Sequence, residues 1–239
     1  MASSSETGFA KNVNTFSSLV AFCHVHANIY KPVNPEIALD HLGKMRDAAE
    51  QALEEVNKLT TPYSIAVDAQ EQHFKNFDKL LTKVGRAYKV AGATPAQLQN
   101  VDAIIKKIKG ERIGKIPKGK EEDAISTAQT SYASRINNFS LLLKALTEFG
   151  NYATNEDELS LKTLQKLLNA MTQDNKKIQE VGPTLSKGRS SRNKIIYTEK
   201  TGLYYIALLV KTYLRNILTR GTEDYKKISS FKFSNTNSI

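Results

Sequence analysis

Apolar residues in the first third of the chain recur at alternating steps of three and four, the spacing that lines one face of an α-helix. Val13, Phe16, Val20 and Cys23 carry this pattern over residues 10–29, and Ile136, Phe139, Leu143 and Leu146 repeat it within 124–149. From Leu42 the stripe keeps a seven-residue phase through Met45, Ala49, Ala52, Val56, Leu59, Tyr63 and Ala66, then Phe77, Leu80 and Val84. A sustained heptad phase is what a continuous coiled-coil seam requires. Pro62 interrupts it, and Gly182-Pro183 does so at the matching place further on. A turn at each proline would give two helices. The preserved phase favours instead one kinked helix of roughly 55 residues, about 80 Å long.

The two halves match each other at an offset of about 122 residues. Tyr30–Leu39 lies over Tyr152–Leu161, and Leu42, Met45 and Val56 lie over Leu164, Leu167 and Ile178. Further on, Leu81 and Val84 lie over Leu203 and Ile206, and each half then reaches Gly and Thr, as Gly92-Ala-Thr94 and Gly221-Thr222. Helix starts recur too. Asn34-Pro35-Glu36 combines a cap, a residue that loses no hydrogen bond at the first turn, and an acid that complements the helix dipole. Asn155 with Glu156, Asp157 and Glu158 is its counterpart, with Glu158 placed for a capping box. Thr94-Pro95-Ala-Gln97 and Thr222-Glu-Asp open the last helix of each half.

The fold class predicted is all-α: an elongated helical bundle of two duplicated units with long, proline-kinked, coiled-coil-like helices. The division that follows is a polar tail over 1–9 and helical unit one over 10–110. A basic linker covers 111–123, unit two 124–233, and a second tail 234–239. Both tails are read as disordered.

Composition agrees with helices: 40% hydrophobic and 24% charged, no Trp, and only six prolines and twelve glycines in 239 residues. Cys23 is the single cysteine, which excludes an intrachain disulfide and reads as a small buried hydrophobe. No secretory signal precedes the first helix, and the longest apolar run, Leu203–Val210, is too short to span a bilayer. A cytoplasmic protein is expected.

The net charge of +10 is unevenly placed. Residues 106–120 net +6, through Lys106, Lys107, Lys109, Arg112, Lys115, Lys118 and Lys120 against Glu111. Residues 181–220 net +7, so the rest of the chain is −3. The first stretch is either a phosphate-neutralising arm or a solvated linker. The linker reading is favoured because no aromatic is interleaved and Glu121-Glu122-Asp123 follows at once. Within the second stretch, Lys187, Arg189, Arg192 and Lys194 stand out, since Arg189 and Arg192 fall where the apolar seam expects core residues. They form either an anion site or partners for Asp68 and Glu71, the acidic and matching positions of the first half. The duplication favours the pairing.

Chemistry is otherwise sparse. His24 and His26 point to different helix faces, and His41 and His73 have no ligand spacing with them. No phosphate loop, nucleophile elbow or zinc-protease helix is present. Tyr197, Tyr204, Tyr205 and Tyr213 make a stripe that suits packing better than a ligand box. No metal, cofactor or small-molecule substrate is indicated.

Arg192–Tyr197, Thr201–Leu203, Val210–Tyr213, Tyr225–Phe233 and Tyr30–Leu39 together resemble a group of uncharacterised, internally duplicated all-helical bacterial proteins. The resemblance implies a bacterial cytosolic protein and assigns no residue a role. The function expected is a non-enzymatic scaffold, or a protein-interaction and assembly protein, acting on a protein partner or on a second copy. The alternative is nucleic-acid or polyanion binding through 106–120 and 187–194. No membrane partner is expected.

Overall fold

A computed structural model describes residues 4–111 and 130–235. Among them the secondary structure is helical throughout: α1 (Ser4–Val25), α2 (Leu39–Lys75), α3 (Phe77–Val90), α4 (Pro95–Lys109), α5 (Tyr132–Glu148), α6 (Leu161–Tyr197), α7 (Leu203–Ile217) and α8 (Glu223–Ser230). A 3-10 turn precedes each long helix, Pro35–Ile37 before α2 and Asp157–Leu159 before α6. No described helix is long and apolar enough to cross a membrane.

The long helices continue past their prolines, 37 residues each, and stop well short of the length the heptad phase predicts. Pro62 and Pro183 face solvent. The carbonyls they leave unbonded belong to Lys58 and Gln179, at exposed positions where water replaces the missing N–H. The stop comes later. Asn76 leaves helical geometry (φ −119°, ψ 11°), and α3 begins at once with Phe77 buried. The seam shifts as well, because Leu81 rather than Leu80 is fully buried.

The chain divides into two compact units, Met1–Thr61 with Gly182–Ile239, and Pro62–Val181. These are not the stretches 10–110 and 124–233. Each unit combines the front of one sequence half with the back of the other, and α2 and α6 each contribute to both.

The first unit closes over Phe16, Leu19, Val20, Cys23, Ile206 and Val210, with Ile228 and Phe231 from the C-terminal segment. Helix α1 opens earlier than residue 10, and Phe9 belongs to the core. Ser234 is held too: its N–H donates to Asn12 Oδ1 (3.0 Å) and its carbonyl accepts from Asn12 Nδ2 (2.7 Å). Met1–Ser3 and residues 236–239 of the expected tails, and most of the 111–123 linker, lie outside the described residues.

The second unit closes over Phe77, Leu81, Val84, Tyr88, Ile105, Ile108, Phe139, Leu142 and Leu164. Phe77 meets Phe139 edge to face with ring centroids 4.9 Å apart.

One contact is common to both units. Tyr30 Oη donates to the Ile37 carbonyl at 2.7 Å, and Tyr152 Oη, 122 residues on, donates to the Leu159 carbonyl at 2.7 Å. Each ties the loop to its 3-10 turn. Burial, then the charges of Cys23 and Tyr213, push the Tyr30 phenol far up; burial and then Glu156 push Tyr152 up to about 12. Raised phenol values stabilise the fold fully below about pH 10, and that contribution is lost as pH climbs through the folded value. Unfolding midpoints in urea should therefore fall between about pH 10 and about pH 12, and Tyr152→Phe should flatten the fall while costing about 1 kcal/mol at neutral pH.

Both long helices start later than their expected caps, and the 3-10 turn that Asn34 caps delays α2 to Leu39. Asn34 accepts from Glu36 N–H as read, and Thr94 and Gln97 form a capping box. In the second half Asn155 does not cap; Thr154 Oγ1 accepts from Glu156 N–H, and Ser160 Oγ accepts from Thr163 N–H at the true start of α6. The hydroxyls hold those places because the 3-10 turn delays α6 to Leu161. Gly92 (φ +86°) takes the left-handed backbone just past the end of α3, and Gly221 (φ +91°) takes it in the turn between α7 and α8, each shortly before the next cap.

Candidate functional site

Helix α3 is strongly two-faced. Phe77, Leu81, Val84 and Tyr88 go inward, while Lys79, Lys83, Arg86 and Lys89 follow at i+4, i+3 and i+3 on the outer side. Residues 77–110 hold seven Lys/Arg against Asp78 and Asp102, a net of +5, half the charge of the molecule in one hairpin. Gly85 lets the two helices close up, since a Cβ there would stand 3.1 Å from Ile105 Cδ1.

Between α3 and α4 lies a groove of about 300 Å³ lined by Arg86, Lys89, Lys106 and Lys109, with Asp102 and Glu111 at its edge. Lys109 Nζ donates to Thr82 Oγ1 at 2.7 Å and stands 3.9 Å from Glu111 Oε1. Lys107 is exposed and turned out of the groove. Arg112, Lys115, Lys118 and Lys120 lie outside the described residues. Arg86 and Lys89 are not part of the basic run that begins at Lys106, and no sequence cluster marks them. The strip opposite the apolar face of α3 was the signal that could have found them.

The second basic stretch is split by its helix. Arg189 and Lys194 line an open depression along α6 with Ser186, Ser190 and Asn193, and Lys187 is exposed. Arg192 instead turns into the core of the first unit, 2% exposed, with its guanidinium carbon 3.6 Å from the Phe9 ring centroid. The expected pairing with Asp68 and Glu71 is corrected by the helix register. Gly188 sits over Val56 in the first unit, whereas Asp68 and Glu71 belong to the second, where Gln70 meets Asn175 and His73 meets Asp174. The antiparallel match is therefore offset by more than three helical turns from the one that the repeat offset implied.

A pocket of about 500 Å³ opens where α2 gives way to α3. Phe77 and Leu164 are buried in its floor, Leu80 and Leu167 form half-buried walls, and Gln72, His73, Asn76, Lys79, Lys83 and Glu158 rim it. His73 Nε2 lies 3.2 Å from Asp174 Oδ2, and Lys83 Nζ donates to Glu158 Oε1 at 2.6 Å. No sequence motif marked this place.

The tyrosine stripe is packing in part. Tyr197 Oη accepts from Asn12 Nδ2 at 2.9 Å, and Tyr213 meets Tyr30 edge to face. Cys23 is buried, which pushes its thiol up to about 12. It should therefore resist a disulfide thiol reagent near pH 8 until the chain is unfolded, because only the thiolate attacks. Among the described residues no group of three or more His, Cys, Asp or Glu is placed to hold a metal ion. No known protein family, curated protein or solved structure matches the chain.

Proposed function

We propose that the protein is a non-enzymatic helical scaffold, an interaction or assembly protein built from a duplicated helical module. The observation that carries this reading is the sharing of α2 and α6 between both units. The turn before α2 packs on α7, and the turn before α6 packs on α3, so neither half closes a core from its own residues. The repeated tyrosine contact and the left-handed glycine before the last helix of each half support common descent of the halves. What such a frame offers outward is surface. Leu208 and Leu209 on α7 are exposed side by side and present apolar area to a protein partner or second copy.

Light scattering across a concentration series tests it. The expected mass exceeds the 26.6 kDa monomer, and Leu208→Asp with Leu209→Asp restores the monomer without lowering the melting temperature. A monomer at every concentration that also retains no protein partner would sink the reading.

A second reading, polyanion binding, is favoured by the four cations that meet in the α3–α4 groove. Fluorescence polarisation with mixed DNA and RNA should show affinity falling steeply with salt, as phosphate neutralisation requires. Arg86→Glu with Lys106→Glu should weaken binding by about tenfold or more and reduce the salt slope by roughly two. No binding at low salt removes this reading and leaves the first untouched.

A further inference from the structure

We propose that the pocket at the α2–α3 joint binds a small amphiphilic monoanion, a medium-chain carboxylate, with its hydrocarbon against Leu80, Leu164 and Leu167 and its head at Lys79. The site is independent of both functional readings above. Its volume, about 500 Å³, lies in the range of small-molecule pockets. At about 30 Å³ per non-hydrogen atom it has room for a ligand of roughly seventeen such atoms.

The charge on the rim selects the head group. His73 faces Asp174, and Lys83 is bonded to Glu158, so each is balanced where it stands. Lys79 forms no ion pair among the described residues, and beside it Asn76 and Gln72 offer neutral amide donors. One unmatched cation with two amides suits a single negative charge and is too little for a phosphate dianion. Leu80 on α3 and Leu164 and Leu167 on α6 line the same pocket and supply an apolar wall that a polar metabolite would not use.

The pocket exists because the joint is one residue long. Asn76 holds the position before α3 without a side-chain hydrogen bond to the helix, and its backbone leaves helical geometry there. The corresponding joint between α6 and α7 runs from Thr198 to Gly202 and folds onto its own backbone, with the Gly202 N–H donating to the Thr198 carbonyl at 2.7 Å. A tight turn closes one joint, and a cleft marks the other.

Calorimetric titration of the full chain with hexanoate, octanoate and decanoate, below their micelle concentrations, tests the assignment. Affinity should rise about fourfold per added CH₂ through decanoate, which the pocket volume still accommodates. Lys79→Glu should weaken octanoate by about tenfold and leave 1-octanol unchanged, whereas Leu167→Asn should weaken both. Lys79 is exposed, so its variant folds and decides the matter even if Leu167→Asn does not. Three results would overturn the proposal: no binding of any chain length, equal octanoate binding by Lys79→Glu and the parent, or binding of inorganic phosphate as tight as that of octanoate.

Discussion

Truncating Arg192 to alanine is expected to lower the unfolding free energy by about 3–5 kcal/mol, the range of large core truncations. Arg192 is among the largest fully buried side chains, and it is a cation. Its guanidinium lies over Phe9 with the central carbon 3.6 Å from the ring centroid. Such a stack is worth about 2 kcal/mol when desolvated. The aliphatic stem fills core volume besides. Arg192→Met keeps much of that volume and removes the charge, so a loss of only about 1–2 kcal/mol is expected. Arg192→Lys gives up the planar face that stacks on Phe9 and should fall between the two. Urea unfolding with unchanged slopes measures all three. A stability of the alanine variant equal to that of the parent would place the guanidinium in solvent.

One chemical change, Gly→Ala, should act with opposite signs at two positions. At Gly202 a Cβ would stand 2.6 Å from the Thr198 nitrogen and 2.8 Å from the carbonyl oxygens of Ile196 and Thr198. All three are backbone atoms, which cannot swing aside as a side-chain end can. The loss expected is about 3 kcal/mol, the upper part of the overpacking range. The backbone there is extended (φ −73°, ψ 154°), so the obstacle is space and not torsion. At Gly43, inside α2, nothing stands within 4 Å of an added Cβ. Alanine there should gain about 0.5–1 kcal/mol by removing backbone freedom from the unfolded chain. Melting temperatures moving apart in these directions check both environments at once. A Gly202→Ala protein as stable as the parent would mean that the α6–α7 turn is not packed as described.

The site was less legible than the fold, and particular residues show why. Lys106 and Lys109 stood out as a run of like charge, but Arg86 and Lys89 share their groove only because Gly85 lets α3 and α4 approach. Arg192 read as a partner for Asp68 or Glu71 and is a core residue over Phe9, since a long stem beside an aromatic ring can be buried where a short one cannot. Asn76 carried no break signal that a proline or glycine would give. The joint and its pocket arise from packing Phe77 against Phe74 and Phe139.

By itself the sequence determined what is local. Three-and-four periodicity specified helices, asparagine, threonine and glycine marked many of their ends, and the offset of 122 residues paired Tyr30 with Tyr152 before any contact was known. These follow from hydrogen bonds and side-chain directions within a turn or two of chain. Only the tertiary structure decided which apolar stripes meet. Stripes of leucine, isoleucine and valine are nearly interchangeable partners, and burial alone does not choose among them. Close fit does, at points such as Gly188 over Val56 or Phe77 against Phe139. That fit joined the front of each half to the back of the other, turned Arg192 inward, and opened a cleft beside Asn76.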